Sequence, residues 1–129
     1  MLPSTLALID DDHLFVETLS RFLGEQGIRV SSYGDGADLL ASADPYGFEF
    51  YVADLMMPSV DGITLIDVLR RRTSAGILVV SGRLASDTFK QIVKAGGDMY
   101  LAKPAQFEQI LVAIEAVQRR AGAGEAMKK

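Results

Sequence analysis

The sequence lacks cysteine entirely, and a single histidine, His13, occurs among its 129 residues. Without cysteine the chain has no disulfide bond, no thiolate metal site and no thiol nucleophile, and one histidine is too few for a transition-metal site. Long apolar runs are also missing, because the first one stops at Asp10 and residues 1–5 carry no basic side chain. We therefore expect no signal peptide, no membrane span and a cytoplasmic protein.

Positive charge is also scarce. The chain has 13 Lys and Arg against 17 Asp and Glu, which gives a net charge of −4 and an isoelectric point near 4.9. Such an acidic balance argues against direct binding to nucleic acid. At this length we expect one domain over residues 1–121, and the small and polar residues 122–129 predict a flexible tail or the start of a linker.

Five short apolar segments predict β-strands. They are residues 6–9, 28–33, 48–53, 77–80 and 99–102. The first, third and fourth lack polar alternation, which is typical of parallel strands covered by helices on both faces. Segments with apolar residues at helical spacing follow the predicted strands, so that strand and helix alternate five times. This order predicts an α/β fold, a five-stranded parallel sheet that is doubly wound as a flavodoxin-like (βα)5 three-layer sandwich.

The fourth and fifth predicted helices lie in the second half of the chain. Phe89, Ile92 and Val93 predict the fourth helix, which the Gly96-Gly97 pair ends. The fifth helix is predicted to start after Pro104.

Polar residues follow four of the predicted strands at their carboxyl ends. They are Asp10-Asp11-Asp12 after the first strand, Asp54 after the third, Ser81 after the fourth and Lys103 after the fifth. In open parallel sheets, ligands bind beyond the carboxyl ends of the strands. Up to four crowded carboxylates destabilise a fold unless a cation neutralises them, and Mg²⁺ is the natural candidate because it prefers oxygen ligands. An Asp cluster before a helix can also act as an N-cap.

The remaining Asp, Ser and Lys around this point predict phosphoryl transfer. A carboxylate is ionised at neutral pH and can attack phosphorus without a general base. The metal, the lysine and the hydroxyl would stabilise charge on the equatorial oxygens.

Four stretches in this order resemble the receiver domain of two-component response regulators, over residues 5–120. They are Leu8-Ile9-Asp10-Asp11-Asp12, residues 54–62, residues 77–82 and residues 97–104. The resemblance implies that Asp54 accepts a phosphoryl group from a sensor histidine kinase. It also implies that Asp10, Asp11 and Asp54 bind Mg²⁺ together with the backbone carbonyl of Met56. Ser81 and Lys103 would contact the phosphoryl group, and Tyr100 matches the family's rotating aromatic residue.

The resemblance further implies a signalling domain that is not an enzyme, beyond catalysing its own phosphorylation and dephosphorylation. A downstream effector or an attached output domain would read the face formed by helix four, strand five and helix five. A homodimer is a further option, although Gln109 and Ala113 stand where regulators with winged-helix outputs carry charged dimer partners. The Lys103-Pro104 peptide is expected to be cis.

Two substitutions relative to the family pattern affect the expected switch. Ser81 stands where Thr is commoner and Gly82 where Ala is usual. We expect a phosphoryl group on Asp54 to draw the Ser81 hydroxyl inward, with both Tyr100 rotamers accessible beforehand.

Two alternatives share parts of this pattern. The run Asp10-Asp11-Asp12, followed by Ser81 and Lys103, also resembles three motifs of haloacid-dehalogenase-like phosphatases with an Asp nucleophile. That family needs acidic metal ligands after the lysine, and here no Asp follows Lys103. A flavodoxin-like FMN binder shares the sheet, but it would need a Ser/Thr/Gly-rich phosphate loop in place of the acidic one.

Overall fold

The computed structural model describes residues 1–82 and 86–128, the last eight of them by their backbone alone. Strands and helices alternate along this part of the chain. In order they are β1 Thr5–Ile9, α1 His13–Glu25, β2 Arg29–Tyr33, α2 Gly36–Leu40, β3 Phe50–Ala53, α3 Gly62–Arg72, β4 Gly76–Ser81, α4 Thr88–Ala95, β5 Met99–Ala102 and α5 Phe107–Lys128. Among the described residues, no helix combines the length and the apolar character needed to cross a membrane.

The strands form one parallel sheet in the order β2-β1-β3-β4-β5. The order reverses between β1 and β3, so the chain winds outward from the centre in both directions and helices cover both faces. The predicted doubly wound α/β fold is confirmed. Strands β1, β3 and β4 are buried almost throughout, as their uninterrupted apolar sequences predict.

The sheet separates two apolar cores. Leu6 and Leu8 of β1 pack toward the side of α1 and α5, whereas Ala7 and Ile9 face the side of α2, α3 and α4. Alternate residues of a strand point to opposite faces, so an uninterrupted apolar strand supplies both cores. This arrangement is the predicted three-layer sandwich.

The predicted fourth helix is confirmed, but of the three apolar residues that predict it only Ile92 is buried. Phe89 is 60% exposed and Val93 is 54% exposed, whereas Thr88 and Ile92 are buried. Residues four apart share a helical face, so the buried and exposed pairs lie on adjacent faces of this helix. Helix α4 packs against α3 and against the edge strand β5, and Thr88 and Ile92 are its buried residues.

The C-terminal segment differs from the sequence-based expectation in its backbone. Residues 121–128 continue α5, where a flexible tail or linker is predicted from residue 122. Alanine has the highest helix propensity, and its repetition at Ala121, Ala123 and Ala126 favours extending a helix that is already nucleated. The role of this segment as a linker stays a prediction.

Arg70 of α3 binds residues at the start of β4 and just before the edge strand β5. Arg70 Nε donates to the carbonyl of Gly96 at 2.9 Å, and Nη1 donates to the carbonyl of Ala75 at 2.9 Å. Its Nη2 lies 2.9 Å from Oδ2 of Asp98, which also accepts the backbone N–H of Ile77 at 2.8 Å. The guanidinium thus joins α3 to the start of β4 and to the turn between α4 and β5.

Candidate functional site

Two buried carboxylates lie side by side at the carboxyl ends of β1 and β3. Asp10 and Asp54 directly follow the paired residues Ile9 and Ala53, and the N–H of Asp54 donates to the carbonyl of Ile9 at 3.0 Å. Asp10 is 3% exposed and Asp54 is 7% exposed. The parallel register therefore brings together two acidic residues that are far apart in sequence.

A third carboxylate completes an oxygen-rich group. Asp11 is exposed, and it offers one oxygen to a set with Asp10 and Asp54 in which all three oxygens lie within 4.8 Å of one another. Burial raises the pKa of Asp10, and the charge of Asp54 adds to this effect, whereas Lys103 and a backbone N–H lower it. Because burial outweighs its partners, the ionised form of Asp10 is less favourable here than in water.

The third residue of the acidic run has a different role. Asp12 is the N-cap of α1, and its Oδ1 accepts the backbone N–H of Phe15 at 3.1 Å. Among the described residues, the clustered carboxylates are therefore three rather than the four that the sequence allows.

Lys103 neutralises part of the carboxylate charge from the end of β5. Its Nζ lies 2.7 Å from Oδ2 of Asp10 and 3.2 Å from Oδ2 of Asp54. Burial lowers the pKa of Lys103, but the hydrogen bonds and the charges of the two carboxylates outweigh it, so that the pKa is raised overall. The Lys103-Pro104 peptide is cis, as expected.

The hydroxyl of Ser81 binds the other oxygen of Asp54. Ser81 is buried at the end of β4, and its Oγ donates to Oδ1 of Asp54 at 2.6 Å. The same oxygen accepts the backbone N–H of Met56 at 3.1 Å. Both oxygens of Asp54 are thus oriented by donors from three separate segments of the chain.

Tyr100 lies beside this group on β5. Its phenol donates to the carbonyl of Ser81 at 3.4 Å, and its side chain is half-buried. The residue is therefore next to Ser81, as expected, while its rotation stays a prediction.

Phe15, which is not among the predicted site residues, also contacts the site. The Phe15 ring centroid lies 4.4 Å from Nζ of Lys103. The only signal available in the sequence was the position of Phe15 in the first turn of α1, three residues after the acidic run. Contact with a lysine 88 residues later requires the folded sheet.

An open pocket of about 900 Å³ lies over these groups. Asp11, Asp54 and Lys103 line it together with the β3–α3 segment that includes Met56 and Asp61. The site is therefore accessible from solvent, with buried carboxylates at its base and a single described ammonium beside them.

Comparisons with known proteins agree with this geometry. Residues 6–115 match the response regulator receiver domain. The probable transcriptional regulatory protein TcrX of Mycobacterium tuberculosis is 28% identical over 121 residues, which are 93% of this chain and 52% of that protein. Protein PetR of Rhodobacter capsulatus is 32% identical over 118 residues, which are 92% of this chain and 50% of that protein.

The chain spans about half the length of these two curated relatives. A crystal structure of a response regulator protein from Burkholderia pseudomallei is 35% identical, with a TM-score of 0.81, over 98% of this chain and 75% of that one. That structure is described with a phosphorylated aspartic acid, a calcium ion and citrate.

Proposed function

Because the chain belongs to the receiver domains of two-component response regulators, we propose that Asp54 is its phosphoacceptor and a sensor histidine kinase the donor. One observation carries the proposal. The buried carboxylate of Asp54 has the Ser81 hydroxyl at 2.6 Å on one oxygen and the Lys103 ammonium at 3.2 Å on the other. A hydroxyl and an ammonium on either side of a carboxylate are suited to bind the oxygens of a phosphoryl group attached to it.

The transfer needs no protein base. An oxygen of Asp54 attacks phosphorus, the bond from phosphorus to the imidazole nitrogen of the phosphohistidine breaks, and its electron pair stays on that nitrogen. Lys103 then donates to a phosphoryl oxygen in place of a carboxylate oxygen, and Ser81 does the same from the opposite side. Both groups act on charge that is spread over the phosphoryl oxygens during transfer.

The acidic group fits Mg²⁺. Asp10, Asp11 and Asp54 offer oxygen ligands only, close enough together to share one small divalent cation. We assign the metal site to these three residues and the backbone carbonyl of Met56. When bound, the ion supplies positive charge that offsets the crowded carboxylates and the phosphoryl oxygens. The calcium ion and phosphorylated aspartic acid described for the Burkholderia relative support this assignment.

The phosphorylated domain would act on a downstream effector or an attached output domain through the face of α4, β5 and α5. Curated relatives of about twice this length favour an attached domain, with residues 122–129 as the start of a linker after a receiver domain over residues 1–121.

We also propose that the domain catalyses its own phosphorylation from small donors and its own dephosphorylation, and that it acts in the cytoplasm. The comparisons give no support to a haloacid-dehalogenase-like phosphatase.

Mass spectrometry of the intact protein tests the phosphoacceptor. We expect one phosphoryl group after incubation with Mg²⁺ and acetyl phosphate, and no modification of Asp54→Asn. Asp12→Asn is the matched control, because asparagine keeps the N-cap and Asp12 lies outside the carboxylate group. Undiminished modification of Asp54→Asn would show that another residue accepts the group.

A further inference from the structure

The ammonium of Lys103 has an aromatic partner as well as two carboxylates. Its Nζ lies 4.4 Å from the ring centroid of Phe15, within the range of a cation–π contact. The lysine side chain is 22% exposed, so the ring contacts a largely desolvated cation. Cation–π attraction is stronger for a desolvated cation than for one in water.

The ring itself is held in place by two helices. Phe15 belongs to the first turn of α1, and its backbone N–H is bound by the N-cap Asp12. Its ring meets that of Phe107, the first residue of α5, at a centroid distance of 6.2 Å and an angle of 68°. Phe107 in turn contacts Phe22 of α1 at 5.7 Å. We call Phe15, Phe22 and Phe107 the aromatic cluster.

The partners of Lys103 differ in what phosphorylation does to them. In the proposed reaction Asp10 becomes a metal ligand and Asp54 becomes an acyl phosphate, so both carboxylate contacts weaken or change. The ring of Phe15 takes no part in metal binding or bond formation. Among the described contacts of the Lys103 ammonium, it is the one that can persist throughout the transfer.

We propose that Phe15 is a positioning residue, which holds the ammonium of Lys103 in the site while its hydrogen bonds move from carboxylate to phosphoryl oxygens. The inference rests on the proposed function of Asp54 and Lys103. Without the ring, the ammonium samples more positions when its carboxylate partners are lost. A smaller fraction of molecules then has the lysine oriented for transfer.

Substitution of the ring tests the proposal first by rate. Phe15→Leu keeps an apolar side chain but removes the π-face, and we expect phosphorylation by acetyl phosphate to slow about five-fold, which corresponds to about 1 kcal/mol. Phe15→Tyr restores a π-face and is expected to restore the rate. Phe22→Leu is the matched control, because Phe22 belongs to the same cluster and has no described contact with Lys103. An unchanged rate in Phe15→Leu, or an equal loss in Phe22→Leu, would overturn the proposal.

A second measurement separates electrostatics from packing. Replacing Phe15 with mono-, di- and trifluorinated phenylalanine weakens the negative ring face with little change in shape. We expect the rate to fall stepwise along this series at position 15 and to stay constant for the same series at position 22. An equal phosphorylation rate along the series at position 15 would show that the ring acts through packing alone.

The nuclear magnetic resonance signal of the Lys103 side chain distinguishes the two proposals. Protons above a ring face are shielded, so the ε-methylene protons of Lys103 are expected to move downfield in Phe15→Leu in the absence of any donor. An unmoved signal contradicts the ring contact. If that signal moves downfield in Phe15→Leu as expected but the wild type is not phosphorylated, the ring contact holds and the phosphoacceptor assignment is contradicted instead.

Discussion

Ser81 donates a hydrogen bond of 2.6 Å to Oδ1 of Asp54, across 27 residues of sequence. The residue expected to respond to phosphorylation is therefore bonded to the proposed phosphoacceptor itself. The backbone carbonyl of Ser81 accepts the phenol of Tyr100 at 3.4 Å. One residue thus contacts both the chemical centre and the aromatic side chain on β5, which makes it the natural place to test coupling between them.

Removing the hydroxyl should uncouple Tyr100 from the site. In Ser81→Ala we expect beryllofluoride, a mimic of the phosphoryl group, to shift the Tyr100 and α4 signals less than in wild type. The variant has no hydroxyl to bind the fluorines that stand in for the phosphoryl oxygens. Nuclear magnetic resonance spectra with and without beryllofluoride measure this difference. Ser81→Thr keeps the hydroxyl and is expected to retain the full response. Equal shifts in Ser81→Ala and wild type would exclude Ser81 as the coupling residue.

Neutralising Asp10 should stabilise the metal-free fold and abolish the stabilisation that Mg²⁺ gives to the wild type. Burial raises the pKa of Asp10, so its charge destabilises the fold, and Asp10→Asn is expected to raise the melting temperature in metal-free buffer by a few degrees. Millimolar Mg²⁺ should raise the melting temperature of the wild type by mass action and leave that of Asp10→Asn nearly unchanged. Scanning calorimetry with chelator and with Mg²⁺ measures both effects.

Asp12→Asn is again the control for this experiment, since it also removes one acidic group next to the site. It should keep the Mg²⁺-dependent rise in melting temperature. An absent rise in the wild type would contradict the metal site, and a rise in Asp10→Asn equal to that of the wild type would remove Asp10 from it.

Tyr51 should make the fold sensitive to alkaline pH. Burial raises the pKa of Tyr51 from 10.0 to about 12, and its phenol donates to the carbonyl of Pro45 at 2.7 Å. The folded state therefore keeps this proton longer than the unfolded state. The associated stability, about 2 to 3 kcal/mol, is fully present below pH 10 and is lost as the pH rises to about 12.

Tyr51→Phe separates this effect from other alkaline titrations. The variant lacks the titrating phenol, so its unfolding free energy should fall less between pH 10 and pH 12 than that of the wild type. Urea unfolding at several pH values measures the two slopes. Parallel curves would show that the phenol of Tyr51 does not contribute.

The guanidinium of Arg70 should contribute more to stability than that of the next arginine. Arg70 is half-buried and binds Asp98 and several backbone carbonyls, so Arg70→Ala leaves partly buried backbone acceptors unpaired and should cost about 1 to 3 kcal/mol. The one described ion pair of Arg71 is an exposed pair with Asp67, so Arg71→Ala should cost less than about 0.5 kcal/mol. Chemical denaturation of both variants provides the comparison, and equal losses would contradict it.

Much of the site followed from the sequence because strand ends are local features. Asp10, Asp54, Ser81 and Lys103 each directly follow an apolar segment of strand length, and the rule for parallel sheets places such residues at one edge. The structure shows the four side chains in contact. Pattern alone could not assign the third aspartate, because Asp12 suits both a metal ligand and an N-cap, and only the backbone of α1 decides for the cap.

By itself the sequence determined the alternation of strands and helices, the parallel sheet and the residues at its carboxyl edge, because these depend on local periodicity and short motifs. Tertiary structure decided which face of α4 is buried, how Arg70 joins α3 to β4 and β5, and that the Phe15 ring covers Lys103. The physical reason is distance along the chain. Such contacts join residues far apart in sequence, and their geometry depends on how helices pack on the sheet.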